Sequence, residues 1–435
     1  MAIVKKNIGT TTLDPKTRSN WSCVFKNMYD EELDLGSIIE QLSIYESIYN
    51  DCMFGNISIK DGQGFTERQS LIGAGNEKII VEIETQTGSE LNSNLRKEFR
   101  LNSYSNASYS STGNGVINST LGFVSQHLIH NNRIDISRSF NAMTASEIVG
   151  YITENILKLP EGKNDLEWDS LETNEETKNV KNCVIPGWSP FKTIKWLCNH
   201  SMSKESGSSN YIFFENNEGF HFTSIDKLKT QDAARTFTVG TDISKSLVTD
   251  GSGVNIRADL LENFEQPARF NHTASQMNGL YGGKIFTHNI LTKSYNSYEV
   301  KYDGQDEGIM GGSAGLNGAG QFASTPDSNI GFMPDEYMYG IHDKKDNTHY
   351  AHRDMKLAEL RTNIVKFDIA GNTNIWAGDV INIKVPSNIR EADDLEEDEF
   401  LSGSWLITAI HHKINAMEYI MTIECMRDGF ENIPG

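Results

Sequence analysis

Short stretches that alternate apolar and polar residues are the feature that most constrains the fold of this chain. Residues 79–85, Ile-Ile-Val-Glu-Ile-Glu-Thr, show the pattern most clearly. A period of two places one face of an extended strand in a core and the other in solvent. Comparable stretches, bounded by turn residues, recur near both ends of the chain. The sequence therefore predicts a mainly β protein with α+β insertions and long loops, its strands grouped as in small barrels.

The predicted strands of the N-terminal part lie at 38–49, 54–59, 79–85 and 96–101. We expect them to form a first small barrel over residues 21–110, preceded by an extended arm of residues 1–20. Residues 102–120 are rich in Ser, Asn, Tyr and Gly, which is typical of a loop or linker. The first domain boundary is therefore predicted in this segment.

Helical signals predict an α/β domain over residues 111–235. Thr144, with Glu147 three residues later, is a capping-box signature, and apolar residues at helical spacing follow it over 145–157. A second helix is predicted to begin at Ser189 and Pro190. The serine side chain can accept a hydrogen bond from a free backbone N–H, and proline is favoured at the first helical position.

Other elements of the middle and C-terminal parts are also predicted from local patterns. Residues 211–214 and 220–222 flank a polar turn that ends in glycine, which predicts a hairpin. The last predicted strands cover 380–385, 405–413 and 419–426, and the final two are joined by a tight turn.

A faint internal similarity predicts a second barrel that resembles the first. Residues 46–62 read as strand, glycine turn and strand, and residues 279–304 repeat that outline. We therefore expect residues 270–303 and 363–430 to form the second barrel, with 236–269 as a connecting segment.

Residues 304–362 are predicted to be an insertion into this second barrel. The glycine-rich part, within 303–331, cannot bury enough apolar surface to offset its ordering entropy and is expected to be a loop. A helix is predicted at about 352–362. The acidic run 390–399 is expected to be a solvated loop, because it lacks the Asp/Asn/Gly spacing of a calcium-binding loop.

The charge balance argues against a protein that holds nucleic acid tightly. The chain has 39 Lys and Arg against 59 Asp and Glu, a net charge of −20. Neutralising phosphates and releasing their counterions normally requires a basic face. An acidic surface would still let DNA pass without sticking. No run approaches the ~18 apolar residues that a membrane-spanning helix requires, and the N-terminus lacks the apolar stretch of a signal peptide.

Cysteines and histidines do not form recognisable ligand motifs. The five cysteines never show a C-x-x-C spacing, so reduced and mostly buried thiols are expected. The closely spaced histidines are His127 and His130, His349 and His352, and His411 and His412. None shows the H-E-x-x-H spacing, and the last pair lies in a predicted strand whose neighbouring side chains point to opposite faces. We predict no metal site.

Motifs for catalysis are also lacking in the sequence. Residues 311–320 contain several glycines, but neither Lys followed by Ser or Thr nor a helical pattern comes after them, as a phosphate-binding loop requires. There is no G-x-S-x-G elbow, and the carboxylates are too scattered to single out an acid–base pair. The predictions are no catalytic residue, no cofactor and no enzymatic activity.

Three stretches carry a family resemblance, in this order along the chain: 37–61, 187–222 and 377–425. They resemble the central hub proteins of contractile-phage baseplates. That family is related to the hub portion of type VI secretion spikes. Residues 37–61 look like the first hairpin of the family's N-terminal barrel. The helix and hairpin at 187–197 and 210–222 are the most specific of the three. Residues 377–383 with 401–425 are similar to the closing barrel strands. The segments 303–331 and 390–399 depart from the family pattern as insertions.

The resemblance implies a homotrimeric ring with two similar barrels per subunit, placed between the hexameric tail tube and the trimeric central spike. The partners it implies are other copies of the chain, the tube protein, the spike protein and other inner baseplate proteins. Genome DNA would be passing cargo, and stable membrane binding is not expected. The implied location is the virion tail baseplate, after assembly in the host bacterial cytoplasm. No lysozyme or needle domain is recognised, so the spike is expected to be a separate chain.

Two alternatives from other classes remain open at this point. A tail-associated peptidoglycan hydrolase would need a pair of carboxylates in a cleft and would lose activity when either is removed. A peripheral baseplate protein that binds the host surface would present an exposed aromatic platform. The position of the chain in an intact tail distinguishes these alternatives from a central hub.

Overall fold

The computed structural model describes residues 19–62, 64–65, 75–86, 92–109, 115–159, 170–178, 180–240, 260–268, 271–301, 330–334, 348–387, 397–398, 400–416 and 418–428. The predicted N-terminal arm up to residue 18, the loop 304–329 and the acidic residues 390–396 lie outside this part of the chain.

The strands of the N-terminal part and of the α/β domain are β1 (Ser19–Lys26), β2 (Glu32–Asp34), β3 (Ile39–Ser47), β4 (Phe54–Asp61), β5 (Lys78–Gln86), β6 (Asn92–Tyr109), β7 (Ile117–Ser125), β8 (Ile136–Thr144), β9 (Leu171–Asn174), β10 (Val180–Trp188), β11 (Tyr211–Glu215) and β12 (Phe220–Ser224). The remaining strands are β13 (Thr236–Val239), β14 (Leu260–Ala268), β15 (Gly282–Asn289), β16 (Ser294–Lys301), β17 (Ile330–Pro334), β18 (Asn363–Ala370), β19 (Val380–Lys384), β20 (Gly403–Ile414) and β21 (Tyr419–Arg427).

The helices are α1 (Gln126–Asn131), α2 (Ala145–Tyr151), α3 (Pro190–Asn199), α4 (Ile225–Lys229), α5 (His272–Met277) and α6 (His349–Leu360). Helix α2 continues directly into a π-helical turn, Ile152–Ile156. The capping box predicted for α2 is confirmed, since the Thr144 side chain accepts from the backbone N–H of Glu147 and the Glu147 side chain accepts from the backbone N–H of Thr144. Helix α6 confirms the helix predicted near residues 352–362, although it begins and ends slightly earlier.

Thirteen strands form one continuous sheet, in the order β2-β1-β5-β6-β7-β4-β3-β20-β21-β18-β14-β13-β19. Strand β19 also pairs with β20. That pairing closes β20, β21, β18, β14, β13 and β19 into a six-stranded barrel. Strands β1 to β7 extend the same sheet from the side of the barrel, and no strand pairing among the described residues closes them into a second ring. The predicted mainly β fold class is confirmed.

Strand β20 joins the barrel to the N-terminal strands β1 to β7, because one strand from each pairs along the same edge of β20. Val380 to Ile383 of β19 pair with the first residues of β20, whereas β3 pairs with its last residues, from Ala409 to Ile414. A β-bulge between Ile407 and Ala409 lies at the change of partner. Bulges bend a strand and increase its twist, so one strand can serve as a wall of both parts.

One apolar core runs through both parts of the sheet. The alternation predicted for residues 79–85 is confirmed, because Ile79, Val81 and Ile83 of β5 are fully buried. In the barrel, the Trp405 side chain is fully buried and its indole N–H donates to the carbonyl of Leu401 at 3.0 Å. Both groups of residues belong to the same connected cluster.

The α/β domain has a separate core built on two small sheets. Strand β12 lies between β11 and β9, and β10 pairs with β8. The hairpin predicted around residues 211–222 is confirmed as β11 and β12, whose apolar side chains pack with those of α2 and α3. The helix predicted at Pro190 is confirmed, but the predicted cap is wrong. The Ser189 side chain makes no capping bond, and the free N–H of Phe191 donates to Oδ1 of Asn131 at 2.7 Å.

The loop or linker expected over residues 102–120 is wrong for the residues of this stretch that the structure describes. Strand β6 continues to Tyr109 and β7 begins at Ile117, and the two are paired along this stretch. Residues 102–108 are all exposed, which explains their polar composition. They nevertheless pair with β7 along one edge, with shifts in register, so the loop-like composition here belongs to an exposed strand.

The composition of the barrel differs from the prediction in one respect. The hairpin of β15 and β16 joins β17 in a separate three-stranded sheet, whereas β13 and β14, from the predicted connecting segment, complete the barrel. The part of the predicted repeat that the structure describes, residues 279–301, therefore does not have the structural role of residues 46–62. The inward residues Ile285 and Val300 of the hairpin are covered by α6, so the same alternating pattern is satisfied by a helix instead of a barrel interior.

Gly55 of β4 provides a test of how closely the sheet is packed. A Cβ at this position would lie 2.3 Å from the backbone carbonyl oxygen of Ser43 and 2.4 Å from the Phe123 ring. Gly55→Ala is expected to lower the free energy of unfolding by about 1–3 kcal/mol through overpacking. The matched control is Gly62→Ala, whose Cβ would lie 3.7 Å from Val116; it is expected to change stability by less than ~0.5 kcal/mol. Urea unfolding of both variants checks this, and equal stabilities would contradict it.

Candidate functional site at the barrel junction

Buried charged side chains gather where the barrel, the N-terminal sheet and the α/β domain meet. An apolar cluster lies at the same place and takes residues from all three parts. Its members are Ile48, Ile212, Phe214, Ile225, Leu228, Leu360, Ala377, Val380, Leu406 and Met426. We call this region the barrel junction. Because burying a charge is costly unless it is paired, the partners of these groups fix how the three parts fit together.

Glu46 of β3 and His412 of β20 connect the N-terminal sheet to the barrel. Oε1 of Glu46 lies 2.7 Å from Nε2 of His412, and both side chains are fully buried. Nδ1 of His412 lies 2.8 Å from the hydroxyl of Tyr419. Burial and the nearby Glu46 carboxylate raise the pKa of Tyr419 well above its usual range. The phenol therefore keeps its proton and can donate to Nδ1, while Nε2–H donates to the carboxylate.

Lys97 of β6 and Glu215 of β11 connect the N-terminal sheet to the α/β domain. The Lys97 ammonium lies 3.4 Å from Oε1 of Glu215, and both side chains are almost completely buried. The same ammonium donates to the carbonyl of Asn216 at 2.9 Å. The other carboxylate oxygen accepts from the backbone N–H of Met53 at 2.9 Å. Each charged group thus has a second partner besides its counterion.

Asn216 extends this network to the segment that precedes β19. Its side-chain amide donates to the carbonyl of Ala377 at 3.1 Å. Its Oδ1 accepts from the backbone N–H of Gly219, within the α/β domain. Nε2 of His221 lies 2.9 Å from the same oxygen. Burial and the charge of Lys97 lower the pKa of His221 to about 4, so the ring is neutral and donates from Nε2.

Lys229 of α4 and Asp428, directly after β21, connect the α/β domain to the barrel. Their charged groups lie 2.7 Å apart and are buried. Asp226 lies 3.5 Å from the same ammonium. Burial, together with the charges of Asp428 and Asp226, raises the pKa of Glu359 to about 7. Because this carboxyl binds its proton more tightly in the folded state, its contribution favours folding increasingly as the pH falls from above 7 toward 4.5.

These three buried pairs form no arrangement suited to acid–base chemistry. The Glu46 carboxylate accepts from the His412 imidazole, the carboxylates of Glu215 and Asp428 are paired with lysine ammonium groups, and each pair joins two different parts of the chain. Removing one member of a buried lysine–carboxylate pair leaves an uncompensated charge, which costs about 3–5 kcal/mol. The physical role that follows is to hold the three parts in one fixed arrangement.

Of the residues in these pairs, only His412 was considered from the sequence, as a possible metal ligand, although a signal for buried pairing was present. Lys97 stands between Leu95 and Phe99, at an inward position of an alternating strand. His412 stands in the same way between Ile410 and Ile414. A charged or titratable residue at an apolar position of the period-two pattern predicts a buried partner elsewhere.

The other histidines considered as ligands lie in separate surroundings. His411 points to the opposite face from His412 and stacks on Tyr45, with ring centroids 4.3 Å apart. The rings of His127 and His130 are 6.3 Å apart. No group of three or more potential metal ligands occurs among the described residues. The predicted burial of the cysteines is confirmed for all five. No helix in the described ranges has the length and hydropathy needed to cross a membrane.

The fold is similar to those of two solved tail proteins. The chain is similar to the 43 kDa tail protein of prophage MuSo2 from Shewanella oneidensis, with a TM-score of 0.54 and 10% identity, over 94% of this chain and 100% of that one. A tail protein from Neisseria meningitidis MC58 gives a TM-score of 0.53 with 8% identity, over 94% and 97% of the two chains. At these identities the similarity establishes the fold.

A similarity in sequence is more specific. The chain is 23% identical over 425 residues to the probable baseplate hub protein gp334 of Vibrio phage KVP40, covering 94% of this chain and 95% of that protein. No family model matches the chain. The resemblance to phage baseplate hub proteins found in the sequence is thereby confirmed.

Substitution of Glu46 tests the role of the buried pair. Glu46→Leu leaves the polar imidazole of His412 buried without its acceptor and is expected to lower the free energy of unfolding by about 1–3 kcal/mol. The double variant Glu46→Leu/His412→Leu should recover part of this loss, with a coupling of about 1–3 kcal/mol in the double-mutant cycle.

The control for this measurement is Glu40→Gln in the same strand. Glu40 is exposed and lies 3.8 Å from Lys60, so its loss should cost no more than about 1 kcal/mol. Urea unfolding followed by tryptophan fluorescence measures the parent, the single variants Glu46→Leu and His412→Leu, the double variant and Glu40→Gln. A Glu46→Leu variant as stable as Glu40→Gln would show that the pair does not hold the junction.

Proposed function

We propose that this chain is the structural hub of a phage tail baseplate. In this role it forms a homotrimeric ring that joins the sixfold tail tube to the threefold central spike. The observation that carries the proposal is the continuous sheet in which β20 serves both the barrel and the N-terminal strands. The sequence similarity to a probable baseplate hub protein supports the same role.

In the proposed role, the continuous sheet lets a threefold ring match the sixfold symmetry of the tail tube. Each chain contributes two β parts, so three chains present six β surfaces to a sixfold tube while the ring itself stays threefold. A ring of this kind requires head-to-tail contacts whose rotation closes. The angle between the barrel and the N-terminal sheet must also stay constant within each chain. The buried pairs Glu46–His412 and Lys97–Glu215 support such rigidity.

The central opening of this ring is the proposed path of the genome during ejection, with DNA as passing cargo. We expect acidic or neutral side chains to line it, because basic groups would hold phosphates with an affinity that grows steeply with their number. The charge pattern of the sheet supports this. Three basic residues on its solvent face are paired across strands with acidic ones: Lys78 with Glu98, Arg96 with Glu82, and Lys366 with Glu424.

The proposed role is structural, without catalysis or a cofactor, and its proposed partners are the tube, the spike and other inner baseplate proteins. The proposed location is the virion tail, after assembly in the bacterial cytoplasm. The peptidoglycan-hydrolase alternative gains no support from the buried carboxylates, since those at the junction are engaged in ion pairs. The surface-binding alternative requires an exposed aromatic face. Such a face is present on β15 to β17, and its position in the assembled tail decides between the two roles.

The oligomeric state of the purified protein tests the proposal. Native mass spectrometry or light scattering is expected to give three times the chain mass of 48.7 kDa. A permanent ring should bury large apolar areas between subunits, so the trimer should persist on dilution to micromolar concentration. A stable monomer in the buffer that preserves assembled tails would contradict it.

A further inference from the structure

The last turn of helix α6 connects this helix to the barrel junction. Leu360 belongs, with Leu228 of α4 and Met426 of β21, to the apolar cluster there. Earlier along the helix, α6 covers the sheet of β15 to β17, whose Ile285 and Val300 pack against it. The position of that sheet relative to the rest of the chain therefore depends in part on how firmly the end of α6 is held.

Five charged side chains meet at this turn, and we call them the turn cluster. Glu359 and Lys356 come from α6, and their charged groups lie 3.7 Å apart. Asp226 and Lys229 come from α4, and the Lys229 ammonium lies 3.5 Å from Asp226 and 2.7 Å from Asp428, which follows β21. The other four groups all act on the charge of Glu359. Since three carboxylates face two ammonium groups, the turn cluster has one negative charge in excess when Glu359 is ionised.

Two of these carboxylates are held in the ionised form. Lys229 and the Ser208 hydroxyl, which donates to Asp226 at 2.6 Å, lower the pKa of Asp226 in spite of its burial. Asp428 is paired with the fully buried ammonium of Lys229, and a proton on Asp428 would remove the closest counterion of that ammonium. The excess charge is therefore relieved most easily at Glu359.

Glu359 lies where a negative charge is unfavourable for three reasons. Its side chain is only 3% exposed, so water cannot solvate the ionised form. It lies in the last turn of α6, where the helix dipole opposes negative charge. The cation 3.7 Å away, Lys356, is itself partly exposed and is weakened by solvent screening. Burial, opposed by Lys356 and reinforced by Asp428 and Asp226, raises the pKa of Glu359 to about 7.

The free oxygen of Asp428 also favours a neutral Glu359. Oδ2 of Asp428 is the atom paired with Lys229, whereas Oδ1 is buried and makes no hydrogen bond with the described residues. A buried carboxylate oxygen without a donor has nothing to offset the repulsion of a second carboxylate charge. A proton on Glu359 removes that repulsion and leaves the turn cluster neutral.

We propose that Glu359 is a proton-dependent latch that fixes the end of α6 to the barrel junction. With the proton bound, the last turn of α6 stays in contact with α4 and with Asp428. Release of the proton leaves a buried negative charge in excess, which loosens this turn and the sheet of β15 to β17 that α6 covers. The latch lies within a single chain and does not depend on the proposed trimer.

The direction of the pH effect follows from the state in which Glu359 binds its proton more tightly. Its pKa is about 7 in the folded chain, against an ordinary value of 4.5. The stabilisation by the proton is therefore complete below about pH 4.5, decreases as the pH rises, and is lost above about pH 7. The latch is closed in mildly acidic solution and loosened in neutral to alkaline solution.

Hydrogen–deuterium exchange of the full chain, corrected for the intrinsic pH dependence of exchange, measures how often the last turn of α6 opens. In the parent, the opening constant of this turn is expected to increase by up to about tenfold per pH unit between about pH 5 and 7, and to level off above about pH 7.5. Glu359→Gln keeps the shape of the side chain but cannot ionise, so its opening should change little over this range. Glu40→Gln, at the exposed position in β3, is the control and should keep the parental profile. A parent whose opening does not depend on pH, or a Glu359→Gln variant with the parental profile, would overturn the proposal.

A second variant distinguishes the latch from a merely structural role of the helix end. Lys356→Met removes a positive charge beside Glu359 and should raise its pKa further, so the same transition is expected roughly 0.5–1 pH unit higher. Thermal unfolding gives an independent readout if the turn exchanges too slowly to follow. The unfolding midpoint of the parent should fall relative to that of Glu359→Gln as the pH rises from about 5 to 7, and the difference should then stay constant. A Lys356→Met transition at the parental pH or lower, or parallel thermal profiles of parent and Glu359→Gln, would contradict the latch.

Discussion

The two β parts are held in one arrangement because Glu46 and His412 satisfy each other only when β3 lies alongside β20. Both side chains are fully buried, so neither can turn to water instead. The imidazole is fixed from its other side by Tyr419, in the strand that follows β20. A change in the angle between the N-terminal sheet and the barrel would expose or unpair all three groups. This polar chain therefore sets the geometry to which the remaining contacts conform.

The other buried pairs attach the α/β domain to the same frame. Lys97–Glu215 joins it to the N-terminal sheet, and Lys229–Asp428 joins it to the end of the barrel. Between them lies an apolar cluster to which all three parts contribute. Buried ion pairs contribute little net stability compared with apolar packing of the same shape, but they penalise alternative arrangements strongly. A ring component that must present two β surfaces at a constant angle benefits from that kind of constraint.

Much of the fold could be predicted because it depends on local patterns. Alternation identified β5 and the C-terminal strands, and the Thr144 capping box located the start of α2. The membership of the barrel could not be predicted from such patterns. Strand β13 alternates polar and apolar residues but has only four of them, too few to stand out. Strand β14 contains Glu, Gln and Pro among few apolar residues and shows no clear period of two. The hairpin of β15 and β16 shows that period, but a helix covers its apolar face as effectively as a barrel would.

The barrel junction was partly visible in the sequence. Lys97 and His412 interrupt otherwise apolar inward positions, which signals that each needs a buried partner. The identity of that partner depends on pairing between strands far apart in the chain, as with Glu46 and His412. Such pairing is set by the register of β3 against β20, which no local pattern specifies. The class of protein was predicted from the resemblance of three separated stretches to one family, because no single motif was specific enough.

A cryo-EM reconstruction of the intact tail tests the central claim most directly. The account predicts three copies of this chain at the end of the tail tube, above the central spike. In each copy, the barrel and the N-terminal sheet should face two successive tube subunits, with the angle between them as in the isolated chain. Density for the chain at the periphery of the baseplate, or six copies that each use a single β part, would contradict it.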